Sequence, residues 1–327
     1  MASIIGTNRG VLSLKSFMLN CPKKSLPYIV SIQKPIEVMC LRASTNSSAD
    51  SVHNENYCMN MVRTRDYDGY ISSLLFPDGS RRSSLALRAF NVELAQAGIW
   101  VKDSVSQKTI GLMRMQFWKT ALNEIYRDDP PSQPVTLELW RAVKRHRLTK
   151  RWFLRIINER EKDLEDRPYR NLQELEAYSE NTQSSLLYLQ LEALDHAASH
   201  IGKAHGIMTC LRATPYHSQR RKVYLPMDIC MLHGASQEDF IRGSREKNVK
   251  DVVLDIATQA HTHLQRAWSM SKNVPVAATP AFLLTVIVEN YLQSLQKVDF
   301  DVFHPSLQKR NPLLPIQMYF RSWRNKY

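Results

Sequence analysis

Residues 109–126 read TIGLMRMQFWKTALNEIY, and the spacing of their apolar members decides the fold class. Ile110, Met113, Phe117, Ala121 and Ile125 recur at intervals of three and four, the period of an α-helix. Trp118 and Leu122 widen that stripe to the breadth a buried helix requires. The same period returns over 83–97, 135–146, 150–166, 171–194, 196–211, 249–271 and 280–298. It breaks at Phe76-Pro77-Asp78-Gly79, Asp128-Asp129-Pro130-Pro131 and Val274-Pro275, where proline and glycine carry turn and stop signals. Strand candidates are few and short, and no fixed period marks a solenoid. The expected architecture is all-α, a single large helical domain.

The chain has 327 residues, 43% hydrophobic and 23% charged, enough apolar material for a large core, which excludes wholesale disorder. No run approaches the roughly 18 apolar residues of a spanning helix, so a helical transmembrane protein is excluded as well. Cys21, Cys40, Cys58, Cys210 and Cys230 are odd in number and lack C-x-x-C spacing. Neither a disulfide framework nor a zinc site is expected, and a reducing compartment fits. Net charge is +13 and uneven: residues 1–49 hold six Lys or Arg against the single Glu37, a net +5. That stretch is Ser-rich, and Val11, Leu14 and Met18 share a helical stripe with Lys15 off it, the acid-poor amphipathic composition of a mitochondrial presequence. We therefore expect a targeting segment at 1–42, a polar linker at 43–56 (ASTNSSADSVHNE at 43–55), and a folded domain at 57–327. The positive charge left on that domain suits an anionic membrane surface, a nucleic acid or an acidic protein patch.

Candidate chemistry is sparse. Asp251 and Asp255 sit four apart and share a helix face, where two carboxylates can hold a magnesium ion bridging a diphosphate. Lys247 and Lys250 flank them, so a solvated acidic face is the stronger reading. Asp128-Asp129 precedes two prolines and reads as a turn. His261 and His263 point roughly 200° apart on a helix and cannot chelate one ion, so they read as surface or half-buried residues. His217 and His233 lack metal-ligand spacing, Ser184-Ser185 lacks a nucleophile elbow, and no phosphate-cradling glycine loop occurs. No cofactor is expected. Arg220-Arg221-Lys222 beside Tyr216 and Tyr224 joins charge to stacking faces, but one short cluster is usually a solvated edge. We read it as a membrane or partner patch rather than a nucleic-acid site. Met113, Phe117, Trp118, Tyr178 and Tyr188 suit either a greasy slot for an isoprenoid or lipid ligand or, more commonly, plain core.

LRATPYHSQRRKVYLP (211–226) resembles the second signature region of the squalene and phytoene synthase family. SSLALRAFNVELAQ (83–96) is similar to the helix carrying that family's first aspartate motif, and EREKDLEDRPYRNLQELEAYSENTQSSLL (159–187) resembles its middle helices. Leu211, Arg212, Tyr224, Leu225 and Pro226 match in order. The resemblance implies an all-α domain of the isoprenyl synthase type, running from about Tyr57 to nearly the C-terminus. Members condense isoprenyl diphosphates head to head on magnesium ions held by aspartates. Here the four aspartate positions fall on Ala213, His217 and, in the first motif, near Ala95 and Ile99 with Gln96 between. None is a carboxylate, and a hard cation without anionic oxygen ligands has nothing to bind. The expectation is a pseudoenzyme of the head-to-head prenyltransferase family, with no catalytic residue and no metal ligand.

RAFNVELA, GLMRMQFWKTAL, LRATPYH and RRKVYLPMDICMLHG are moreover similar to a mitochondrial branch of the family that serves assembly of respiratory complex I (NADH:ubiquinone oxidoreductase). That branch implies a non-catalytic role in early assembly, on the matrix side of the inner membrane. Complex I subunits or assembly intermediates and the membrane surface are the implied partners. The alternatives are a magnesium-dependent prenyltransferase with a rearranged site and a non-catalytic isoprenoid or lipid binder. Two places depart from the pattern: an insertion at Ala97-Gly98-Ile99-Trp100, and a short junction at Leu194-Asp195-His196.

Overall fold

Short polar side chains open several helices. Asp66 accepts from the Gly69 amide at 3.0 Å, Asn171 accepts from the Glu174 amide at 2.9 Å, and Ser236 with Asp239 forms a reciprocal capping box. The computed structural model describes residues 48–96, 104–165, 167–191, 195–270 and 279–324. The expected targeting segment, the insertion at 97–100 with Ile99, and Leu194 of the short junction lie outside the described residues.

The chain runs α1 (Ser48–Arg65), α2 (Tyr67–Leu74), α3 (Asp78–Ala95), α4 (Ser104–Tyr126), α5 (Pro134–His146), α6 (Lys150–Asp163) and α7 (Leu172–Ser179). A π-helical stretch (Glu180–Ser184) continues α7 into α8 (Ser185–Leu191). Then follow α9 (Asp195–Ser218), α10 (Met227–Leu232), α11 (Gln237–Ile241), α12 (Lys247–Ser269), α13 (Thr279–Phe282), α14 (Leu284–Lys297), a 3-10 turn (Pro305–Gln308) and α15 (Leu314–Trp323). Among the described residues there is no strand, and no helix is long and apolar enough to cross a membrane. The all-α expectation holds.

Two apolar clusters hold the helices together. The first joins α1, α3, α4, α5, α6 and α8 around Phe90, whose ring meets Trp118 at 4.9 Å and Phe153 at 5.4 Å, both edge to face. The second joins α9, α12 and α14 through Ile207, Met208, Leu211, Val253, Ile256, Leu264 and Val288. Within it α9 and α12 pack along each other extensively. Gly202 and Gly206 let α9 lie directly against the π-helical stretch. A Cβ at Gly202 would fall 2.2 to 2.5 Å from Ser184 Oγ, Cα and N, and one at Gly206 2.3 Å from Ser179 Oγ.

The structure corrects several expectations. Residues 48–56 are not linker: α1 begins at Ser48 and packs on α3 and α5. Its polar composition hides this, because Arg82 reaches across to bind Ser51 (O at 3.0 Å, Oγ at 2.8 Å) and Glu55 (3.0 Å). On α4 the buried face runs Met115, Trp118, Leu122 and Ile125, whereas Ile110, Met113 and Phe117 face outward, Met113 being 68% exposed. The helical period was right, but seven apolar residues offer two overlapping stripes and only contact with Phe90 selects between them. The single helix expected at 171–194 is interrupted by the π-helical stretch, and the one expected at 196–211 continues through Pro215 to Ser218. It ends in a Schellman turn: Arg221 takes a left-handed φ of 58°, with Arg221 N to Ser218 O at 2.9 Å and Lys222 N to His217 O at 3.1 Å.

Candidate functional site

The positions expected to carry the two motifs lie at the ends of two long helices. Ala95 is the last residue of α3 and Gln96 its C-cap, while Ala213 and His217 occupy the last turns of α9. A methyl group, an amide, a second methyl group and an imidazole do not make a magnesium site, since that ion takes hard anionic oxygens in octahedral geometry. Among the described residues no group of three His, Cys, Asp or Glu side chains converges to hold any metal. His217 packs as an aromatic, edge-on to Tyr216 at 5.3 Å and Tyr224 at 4.7 Å. Of the matched motif residues, Leu211 is fully buried, Pro226 precedes the first residue of α10 without a side-chain capping bond, and the Tyr224 carbonyl accepts from Cys210 Sγ at 3.3 Å.

Where a diphosphate would need free cations, this chain has internal ion pairs. Arg88 Nη1 on α3 donates to Asp66 Oδ2 at 2.9 Å, and Arg212 Nη1 on α9 donates to Asp68 Oδ2 at 2.6 Å. Arg88 is nearly inaccessible, so its guanidinium could not remain there without a carboxylate. Gly69 makes room for the pair: a Cβ there would sit 2.2 Å from both Arg88 Nη1 and Asp66 Oδ2. His205 on α9 feels the charges of both pairs, yet burial dominates and pushes its pKa down to about 4, leaving a neutral imidazole. Four residues before Arg88 on α3, Ser84 meets Ser73 Oγ and Gln190 Nε2, each at 2.9 Å. The space between α2, α3 and α9 thus carries hydrogen bonds and paired charges instead of a ring of carboxylates.

The remaining candidates scatter. Asp255 Oδ2 is hydrogen-bonded to His233 Nε2 at 2.7 Å, and among the described residues the Asp251 and Asp255 face contributes to no metal cage. His261 is exposed, but His263 is 2% exposed, which corrects the surface reading. Its Nδ1 lies 3.0 Å from His200 Nδ1, and its Nε2 is 3.3 Å from Glu176 Oε1. Burial lowers the pKa of both rings, so one can donate and the other accept. The five slot residues are not brought together. Met113 and Phe117 are exposed, Trp118 packs on Phe90, Tyr188 stacks on Trp152 at 4.6 Å, and Tyr178 takes a hydrogen bond from Arg160. Arg220 and Arg221 are exposed at the α9 C-terminus, where cations complement the helix dipole. The Arg220 guanidinium lies 3.7 Å over the Tyr216 ring, and Arg221 is 3.6 Å from Glu238.

Sequence reasoning missed Asp66, Asp68, Arg88 and His205. Two signals were present. Arg88 interrupts an otherwise apolar helix face, and Asp66-Tyr67-Asp68-Gly69 has the capping aspartate and small residue of a helix start.

Comparisons with known proteins bear on the family and the fold. Residues 62–316 match the family model described as squalene/phytoene synthase. The chain is 65% identical over 280 residues to "NADH dehydrogenase (ubiquinone) complex I, assembly factor 6" of Homo sapiens, covering 84% of this chain and 83% of that one. It is 64% identical over 280 residues to the protein of the same name from Bos taurus, with the same coverage. Among solved structures it is similar to a dehydrosqualene synthase crystallised with a ligand. That likeness has a TM-score of 0.71 at 14% identity and covers 84% of this chain and 97% of that one, so it bears on the fold alone.

Proposed function

The chain belongs to the squalene/phytoene synthase family, and from that membership we propose a non-catalytic assembly factor for mitochondrial respiratory complex I. In this reading it acts early in assembly, peripherally on the matrix side of the inner membrane. One observation carries the loss of chemistry: the motif positions hold Ala95, Gln96, Ala213 and His217, while Arg88 and Arg212 are neutralised by this chain's own Asp66 and Asp68. With no metal-ligand cluster among the described residues and both guanidinium groups committed to carboxylates, a diphosphate leaving group has little electrostatic stabilisation from them. The names carried by the 64–65% identical relatives support the assembly role. Depletion of the protein from cultured cells is expected to lower assembled complex I selectively on native gels, with recovery on re-expression. Unchanged complex I would overturn the role. Magnesium-dependent diphosphate release from farnesyl diphosphate by the purified chain would overturn the non-catalytic reading.

Two surfaces support peripheral membrane contact. On α15 only Leu314 and Met318 are buried, while Ile316, Tyr319, Phe320 and Trp323 are exposed, Trp323 by 70%. Residues 302–327 contain five Lys or Arg and no Asp or Glu. An aromatic face edged by cations is the composition of a helix lying in the headgroup layer of an anionic bilayer. The second surface is the Arg220, Arg221 and Lys222 patch, each charge worth about 1 kcal/mol near an anionic leaflet. Phe320→Ser with Trp323→Ser is expected to move most of the protein from isolated inner membranes to the soluble fraction. Reversing the three patch charges to Glu should release part of it. Retention of both variants on the membrane would overturn the contact.

A further inference from the structure

Arg82 and Ser83 of α3 and Glu138, Arg141, Lys144 and Arg145 of α5 line a cavity of about 430 Å³. Glu138 is its single carboxylate, and it is already saturated. Arg82 grips it with two parallel bonds, Nε to Oε2 at 2.6 Å and Nη2 to Oε1 at 2.7 Å, and Arg141 Nη1 also donates to Oε1. At the rim, Glu55 pairs with Arg82 and Asp128 with Lys144. Arg145 donates to the Gly79 carbonyl at 2.9 Å, and no carboxylate among the described residues lies within ion-pair distance of it. Glu138, Arg141 and Arg145 are spaced three and four apart, so one α5 face presents the anchor carboxylate and then two guanidinium groups to the same hollow.

The surrounding sequence extends the charge. Residues 139–158 contain seven Lys or Arg and no Asp or Glu, a longer basic stretch than the Arg220 to Lys222 patch. Basic residues in the last turn of α5 suit the helix dipole. That accounts for neither the concavity nor the inward Arg82 from a different helix. Planar guanidinium groups in a hollow recognise phosphate with paired bonds.

We propose that this cavity binds a phosphate-bearing anion, the phosphodiester of a lipid headgroup or a soluble phosphate or diphosphate. Arg145 and Arg141 hold the ligand, and Arg82 and Glu138 fix the frame. The site is distinct from the motif positions: Ser83 and Ala95 are twelve residues apart on α3, about 18 Å along the axis. It does not depend on the assembly role or on the α15 surface.

The test uses the full chain with two probes: inorganic pyrophosphate by calorimetry, and vesicles of phosphatidylcholine with and without phosphatidylglycerol by co-sedimentation. Arg145→Gln touches only the Gly79 carbonyl and leaves the Glu138 frame intact, Arg141→Gln is the second variant, and Lys247→Gln, outside the cavity, is the charge control. Arg145→Gln is expected to weaken binding roughly tenfold or more, from the loss of one charge-assisted contact, with Lys247→Gln unchanged. An effect on pyrophosphate alone identifies a soluble ligand, and an effect on phosphatidylglycerol vesicles alone identifies a headgroup. Absence of binding to both probes, or equal binding by the wild type and both arginine variants, would overturn the site. A Lys247→Gln loss equal to that of Arg145→Gln would also overturn it.

Discussion

Replacing Asp66 with alanine is expected to cost on the order of 3 kcal/mol, lowering the thermal midpoint of a domain this size by about 6–12 °C. The loss has two parts. Asp66 caps α2 through the Gly69 amide, a contribution of about 1 kcal/mol. The larger part is the Arg88 guanidinium, left charged and buried with its partner gone. Asp66 itself is about a quarter exposed, which keeps the figure at the lower end of the range for buried pairs. The double change Asp66→Ala with Arg88→Met should recover at least half of the loss, because it removes the orphaned charge and keeps the volume. Asp78→Ala is the comparison, since Asp78 is 92% exposed in its pair with Arg81. Thermal and urea unfolding followed by circular dichroism would measure all three. An Asp66→Ala midpoint no lower than that of Asp78→Ala would contradict the structural role given to the pair.

Gly202→Ala is the second large effect. In an exposed helix this change gains about 1 kcal/mol of helix propensity. Here the new methyl group would meet Ser184 backbone atoms at 2.4 and 2.5 Å, and a backbone inside the π-helical stretch has no rotamer to change. The α9 helix must move off that stretch and strain the Ser184 Oγ to Ser199 O bond at 3.1 Å. A net destabilisation of on the order of 3 kcal/mol is expected. Gly206→Ala meets mainly the Ser179 side chain, so Ser179→Gly should rescue it while leaving Gly202→Ala unrescued. Gly79→Ala meets nothing within 4 Å and should stabilise the protein slightly. If Gly202→Ala unfolds at the wild-type temperature, the close approach of these two backbones is wrong.

What the sequence made legible follows from which contacts are local. Helical period is a local property, so the long helices were readable, as were the stops at Pro77 and Pro130. The orientation of α4 was not, because Met113 and Trp118 are equally apolar and only Phe90, on another helix, decides which turns inward. The first helix was hidden because its support comes from Arg82, 31 residues beyond Ser51. At the site, the missing carboxylates could be read from the family resemblance, position by position. The Asp66–Arg88 and Asp68–Arg212 pairs could not, since the second joins residues 144 apart. The basic run at 139–158 was legible but passed over in favour of a shorter cluster, and only the cavity makes it informative.

The two internal ion pairs also bear on how such a fold could ever change occupation again. Placing aspartate at positions 213 and 217 would add two negative charges to α9 beside Arg212, whose guanidinium is already committed to Asp68. Freeing that arginine requires a change on α2, and freeing Arg88 requires another at Asp66, which also caps α2. The change at Asp66 made alone strands the buried Arg88 charge, whereas Arg212, 45% exposed, stays solvated when Asp68 is lost. Building a carboxylate cluster there therefore needs coordinated substitutions on at least two helices, with a less stable intermediate wherever Asp66 is lost first. The buried pair thus limits which substitutions the interior of this fold tolerates, a limit that its exposed surface does not share.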